Sequence, residues 1–342
     1  MDRRHFLGGM GAATTAFALS SCSNGSSAGA PAGPAPTASS ASTWTVRHRY
    51  GTTTVGWPPQ RVVTLGQTDH DATIALGVLP VAVGGFLGSS YTPFRSWNDG
   101  GLTTTPPVLD MQEIAFEKVA ALAPDLILAV MSGVTKADYA KLSQIAPTVA
   151  QPVDGEDWAV PYRPHTEHIG QALGKPDVAA TMVTELDTAF ADARARNPQL
   201  SGRTAICVEV FGGQYAVLGA SAPRSQFLAD VGMTLEPTLA ALAGKGYNAP
   251  LSPEKLDLLD SVDVVVWTTD VDAEKKLLAD PLVKVLRSTQ EARYVLAANG
   301  GNDDLLYSMD WGSVLSNRWA LDQALPRLVR AADGDRATDP NA

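Results

Sequence analysis

Apolar positions in this chain fall into two rhythms. Between Pro176 and Arg196, Val178, Met182, Val183, Leu186, Phe190 and Ala193 recur at helical spacing. Pro176 suits an early helical position, Asp177 opens the segment, Arg194 and Arg196 close it, and Asn197-Pro198 with Gly202 stop it. At about 1.5 Å per residue such a helix is roughly 30 Å long, enough to cross a small domain. Elsewhere short continuous apolar runs dominate, as expected of strands covered on both faces.

The chain repeats itself on either side of this helix. RVVTLGQTDHDATIALGV followed by FEKVAALAPDLILAV precedes it, and TAICVEVFGGQ with FLADVGM, then PEKLDLLDSVDVVVW, follows it. In each half a β-branched strand leads through a Gly-containing loop to a helix. A Glu-Lys pair (Glu117-Lys118, Glu254-Lys255) then opens a short helix running to Asp125 or Asp263 and another apolar strand. The Glu-to-Asp offset differs by one residue between the halves.

In order, the pattern predicts a hairpin over residues 44–56 turning near Gly51. Strands are expected at 61–65, 79–83, 126–130 and 147–150, and helices at 69–76, 117–123, 136–144 and 165–173. Beyond the long helix, strands are expected at 205–210, 215–218, 264–268 and 294–297. Helices are expected there at 224–231, 253–258, 273–278, 281–285 and 314–328. Strands alternating with helices mean an α/β protein with mostly parallel sheets. Residues 84–110 read as a long aromatic loop, more often functional than filler.

Length and charge narrow the picture. The 342 residues are 45% hydrophobic and 18% charged, suited to roughly two domain-sized units. A net charge of −10 argues against nucleic acid as partner, because phosphate recognition needs a basic face. Two cysteines, Cys22 and Cys207, cannot make a disulfide framework. Cys207 sits in an apolar run and reads as a buried thiol.

The first residues read as a processing segment. Arg3-Arg4-His5-Phe6-Leu7 resembles a twin-arginine export signal, and an apolar stretch too short to span a bilayer follows it. Leu19-Ser20-Ser21-Cys22 resembles a bacterial lipobox, which implies cleavage before Cys22 and lipid on its sulfur. Residues 23–43 hold only Ser, Gly, Ala, Pro, Thr and Asn and read as a flexible tether. Together these imply an exported protein held by lipid at the outer face of the cytoplasmic membrane.

RVVTLGQTDHDATIALGVLPVAVGG, EKVAALAPDLIL, LSQIAPTV and LSPEKLDLLDSVDVVVW resemble the iron-siderophore substrate-binding proteins of ABC importers, over roughly residues 45–332. KKLLADPLVKVL and SVLSNRWALDQALPRL resemble the actinobacterial lipoproteins of that group. The resemblance implies two Rossmann-like lobes joined by one long α-helix that hinges little. Residues 1–21 would be the export signal, 22–43 the tether, 44–174 the first lobe, 175–198 the linking helix, 199–332 the second lobe and 333–342 a tail. It implies a ferric siderophore as ligand, with haem and then cobalamin as alternatives, no resident cofactor, and an ABC permease with its ATPase as partners. Function as a single receptor suggests a monomer.

Ligands of open α/β sheets bind beyond the carboxyl ends of the strands. Such positions are Gln67, Phe86, Tyr91, Arg95 and Trp97 in the first lobe. In the second they are Phe211, Tyr215, Arg224, Trp267, Tyr307 and Trp311. Aromatic faces and guanidinium forks suit bulky, often anionic chelates. For each aromatic, core packing is the competing reading. For Arg224 it is a solvated surface arginine. Glu117 and Glu254 favour helix starts on dipole grounds alone, and the resemblance implies a second role, one glutamate per lobe pairing with permease arginines.

Two rival classes fare worse. His165 and His168 have metal-compatible spacing and His70 stands between Asp69 and Asp71, yet no third and fourth ligands are evident. No Gly-x-Ser-x-Gly elbow, phosphate loop or His-Glu-x-x-His motif supports an enzyme, and the Asp69/Asp71 and Asp303/Asp304 pairs, which could be general acids, read as solvated loop residues.

Overall fold

The computed structural model describes residues 43–85, 92–98, 104–270, 273–299 and 304–341, all within the unit Ala41–Ala342. The export signal, Cys22, nearly all of the tether, Phe86, Tyr91 and Asp303 lie outside the described residues. An antiparallel hairpin comes first, β1 (Thr43–His48) and β2 (Gly51–Gly56), with Gly51 at a φ of 137° that a side chain would oppose.

The first half then runs β3 (Val62–Thr64), α1 (Asp69–Ala75), β4 (Ala82–Gly85), β5 (Val108–Asp110), α2 (Phe116–Ala121), β6 (Leu126–Ala129), α3 (Lys136–Ile145), β7 (Thr148–Ala150) and α4 (Tyr162–Ala172). Its strands form one all-parallel sheet in the order β5-β4-β3-β6-β7. Alternate residues serve two cores. Val62, Leu126, Leu128 and Val149 face one side, while Val63, Leu65, Ile127 and Ala129 face the other. Burial on both faces is why these strands read as unbroken apolar runs.

The long helix α5 (Pro176–Arg196) matches its sequence prediction end to end. Its buried stripe is Ala179, Val183, Leu186, Ala189, Phe190 and Ala193, whereas Val178 is 46% exposed and belongs to the solvent face. Ala179 joins the core of the first half, and Val183 through Ala193 join that of the second. Gly170 lets α4 lie against α5, since a Cβ there would stand 2.3 Å from that of Ala179. Phe190 meets Tyr162 of α4 on one side and Phe227 on the other.

The second half comprises β8 (Thr204–Phe211), β9 (Gln214–Leu218), α6 (Pro223–Asp230), β10 (Thr234–Leu235), α7 (Pro237–Leu242) and β11 (Asn248–Leu251). A 3-10 helix, Pro253–Ser261, precedes β12 (Val264–Asp270), α8 (Glu274–Ala279), α9 (Pro281–Lys284), α10 (Arg287–Gln290), β13 (Tyr294–Asn299), α11 (Leu305–Trp311) and α12 (Val314–Asp333). The sheet order is β11-β9-β8-β12-β13, with β10 beside the start of β8 and with β9 antiparallel to both β8 and β11. Cys207 is fully buried in it, as expected, and burial pushes its thiol up to about 12.

The internal repeat has a physical counterpart. Asp125 accepts the Gln60 and Arg61 amides at 2.6 and 2.8 Å, and Asp263 accepts the Thr204 amide at 3.0 Å. Each carboxylate caps the entry of the central strand in its own sheet. Other details depart from expectation. The segment Pro253–Ser261 is 3-10 rather than α, β4 lies further on than the predicted strand, and the long loop contains β5. Gly84 sits where a Cβ would meet the Leu65 carbonyl oxygen at 2.8 Å, so only glycine fits the strand there.

Candidate functional site

The carboxyl edge of the first sheet is organised by Asp69. This fully buried residue in the first turn of α1 accepts the amides of Gly66 (3.1 Å), Val130 (2.8 Å) and Met131 (2.8 Å) and meets His165 Nε2 at 2.9 Å. One carboxylate thereby fastens the loops after β3 and β6 to α4. Burial alone would raise its carboxyl, but His165 and the Met131 and Val130 amides reverse that and hold it below the ordinary carboxylate value. His168 meets the Ala150 carbonyl at 3.0 Å, so both histidines of the metal-compatible pair are committed to internal bonds.

Burial pushes His168 down to about 4, and it lowers His48 and His70 as well. A histidine whose folded pKa lies below its unfolded value of about 6.5 gives stability that is complete above that pH. The stability is lost as pH falls toward the folded value, here worth about 3 kcal/mol for His168. Asp69 adds a further loss below its unfolded value near 4. The urea midpoint is therefore expected to fall steadily between pH 6.5 and 4, with a shallower fall in His168→Gln. A flat profile in the wild type would contradict the assignment.

The two halves meet across a seam just past their strand ends. Asp304, ahead of α11, accepts Arg95 Nη1 at 3.2 Å, the Ser96 amide at 3.0 Å and the Ser96 hydroxyl at 2.5 Å. The Arg95 guanidinium lies 3.7 Å from the centre of the Tyr307 ring. Asp71 of α1 accepts Trp97 Nε1 at 2.9 Å, Asn98 Nδ2 at 2.5 Å and the hydroxyl of Ser313, which is the N-cap of α12. Trp311 packs edge-on against His70 and Trp97. Two carboxylates thus tie the 92–98 loop and α1 to the second half.

Each sheet carries a hollow at its carboxyl edge. The first, about 830 Å³, is framed by Asp110 and Met111 after β5, Gly133 after β6, Phe116 and Trp158. Trp158 is 37% exposed, has a positive φ of 61°, and packs where a Cβ on Gly133 would sit, 2.6 Å from its indole nitrogen. The second, about 710 Å³, is framed by Glu209, Phe211, Tyr215, Leu251 and Pro253. Tyr215 is itself buried and its hydroxyl donates to Asp280 at 3.0 Å, while Phe211 is 40% exposed.

The expected site residues divide accordingly. Phe211 and Tyr215 line a hollow, and Gln67 is part-buried beyond β3, with its amide on the Met131 carbonyl. Arg95, Trp97, Tyr307 and Trp311 belong to the seam, and Trp311 is 1% exposed. Trp267 is a correction, since it lies fully buried in the core with Val208 and Val265 and cannot touch a ligand from there. Arg224 is 2% exposed and spent within its own half. Its nitrogens reach Glu209, Asp310 at 3.1 Å, Thr268 and the Tyr247 hydroxyl at 3.4 Å. Glu117 and Glu254 are both exposed, and Ser252 donates to Glu254, holding its carboxyl below the ordinary value. Sequence reading missed Trp158, Asp71 and Asp304 as site residues. Trp158 was legible only as an aromatic in a proline-containing loop.

Two α/β sheets bridged by one helix, with a hollow at each carboxyl edge, define a two-lobed solute receptor. The chain belongs to the periplasmic binding protein family, which matches residues 62–297. A periplasmic solute binding protein from Mycobacterium smegmatis is 33% identical over 85% of this chain and 99% of its own, with a TM-score of 0.75. PiaA from Streptococcus pneumoniae, solved with ferrichrome, is 20% identical over 85% and 99%, with a TM-score of 0.72. SirA from Staphylococcus aureus, solved with staphyloferrin B, is 23% identical over 81% and 96%, with a TM-score of 0.66. These last two share the fold. No curated protein matches the sequence.

Proposed function

We propose that this protein captures a ferric siderophore outside the cytoplasm and delivers it to an ABC permease, held at the membrane by lipid on Cys22. The observation that carries the reading is the pair of hollows at the carboxyl edges of two sheets joined by one long helix. Neighbours of this fold were solved with ferrichrome and staphyloferrin B. The work is binding rather than catalysis. Trp158 and Phe211 offer exposed aromatic faces to a bulky chelate, and iron arrives already chelated, so no protein ligand to the metal is required. Glu117 and Glu254, one in each half, orient the loaded receptor on permease arginines. Haem is less well served, because propionates call for free guanidinium groups and Arg95 and Arg224 are already paired with carboxylates.

An intrinsic-fluorescence titration of the purified full chain tests this. Saturable quenching by a ferric chelate, at least tenfold weaker with its iron-free form, is the expected result once inner-filter absorption is corrected. Binding by haem alone would keep the receptor and change its cargo. Silence toward all ferric chelates, from protein with a cooperative unfolding transition, would end the proposal.

A further inference from the structure

Resting on the receptor reading, the charge arrangement of the cleft bears on which iron chelate it takes. Both arginines placed to attract an anion are neutralised from within. Arg224 has two carboxylates, Glu209 and Asp310, for its single charge, and every nitrogen of its guanidinium is engaged. Arg95 has Asp304 and lies face-on to Tyr307. Glu209 is held again by Asn248 Nδ2 at 2.9 Å, and Asp310 by the Tyr247 hydroxyl at 2.6 Å. An anionic ligand reaching for Arg224 must displace a carboxylate from a 2% exposed guanidinium and leave that carboxylate unpaired. Breaking a buried pair in this way is strongly unfavourable.

The lysines that line the hollows are matched or outnumbered by carboxylates, so neither hollow adds net positive charge. Leaving Glu117 aside at the rim, the first carries three carboxylates, Asp110, Glu113 and Asp138, against two lysines, Lys118 and Lys141. The second sets Glu209 against Lys255. Like charges brought together across an interface suppress binding of the wrong partner.

Iron chemistry turns this into a choice of chelate. Three singly charged bidentate donors, such as hydroxamates, cancel the charge of ferric iron. Three doubly charged catecholates leave a threefold negative complex, and hydroxycarboxylates also leave net negative charge. We propose that the cleft selects a ferric chelate without net negative charge, of the tris-hydroxamate class, and that Arg224 is a fixed post inside the lobe rather than the receptor for a ligand anion.

The test is a fluorescence titration of the purified full chain with ferrioxamine B, ferric enterobactin and ferric citrate. Ferrioxamine B is expected to bind at least tenfold more tightly than either anionic complex, with the gap narrowing as salt screens the repulsion. The Glu209→Gln, Asp310→Asn double variant, which frees Arg224, is expected to gain about tenfold for ferric citrate. The salt series on the wild type decides the matter even if that variant fails to fold. Equal or tighter binding of ferric enterobactin or ferric citrate would overturn the charge assignment and leave the receptor reading standing. Binding of no ferric chelate by folded protein would overturn both.

Discussion

Cells carrying Glu117→Ala together with Glu254→Ala are expected to lose uptake of the ferric chelate, while the purified double variant keeps its ligand affinity within about twofold. Both side chains are exposed, one in the first turn of α2 and the other in the first turn of the 3-10 helix Pro253–Ser261. They occupy corresponding places in the internal repeat, so a receptor seated symmetrically on a permease presents one carboxylate from each half. Exposed rim charges govern encounter and orientation more than the depth of a binding well. Each is also an exposed charge at a helix start, where its contribution is small, so their loss leaves the fold intact. Radiolabelled iron uptake in cells, set beside fluorescence titration of the pure protein, separates the two effects. Normal uptake by the double variant would remove the docking role, and lost affinity in the pure protein would place the glutamates at the ligand instead.

Asp69→Ala is expected to lower the unfolding free energy by about 3–5 kcal/mol, the range for breaking a buried charged contact by removing one partner. The carboxylate is fully buried and satisfies three backbone amides from two loops besides His165. Its loss strands those donors without water to replace it, and each stranded buried group costs about 1–3 kcal/mol. Gly66 records how close the packing is, since a Cβ there would lie 2.2 Å from an Asp69 oxygen. Urea unfolding at pH 7 measures the loss. A change below about 1 kcal/mol would mean that the loops after β3 and β6 are held by their strands alone. The loop after β6 reaches the first hollow at Gly133, so on the proposed function a looser Asp69 variant is expected to bind chelate more weakly.

The periodic parts of this protein are legible in its residue order. The α5 boundaries, the alternation of strands and helices and the two-fold repeat follow from hydrophobic spacing and from Pro, Gly and Asp at element ends, all of which are local properties. The equivalence of Asp125 and Asp263 is readable because each stands directly before an apolar strand, whereas the central strands they cap lie 64 and 59 residues away. Which aromatic and which arginine meet solvent depends on contacts between distant segments. Trp267 and Phe211 both lie on strands near a carboxyl edge, yet Trp267 is in the core and Phe211 at a hollow. A strand alternates faces, and which face is covered depends on helices packed from elsewhere in the chain. Arg224 looked like an anion receptor until Glu209 and Asp310, 15 and 86 residues away, were brought to its guanidinium. Asp71 and Ser313 are separated by 242 residues, and only the meeting of two lobes could pair them. Charge compensation and burial are properties of neighbours in space, and spacing along a chain does not carry them.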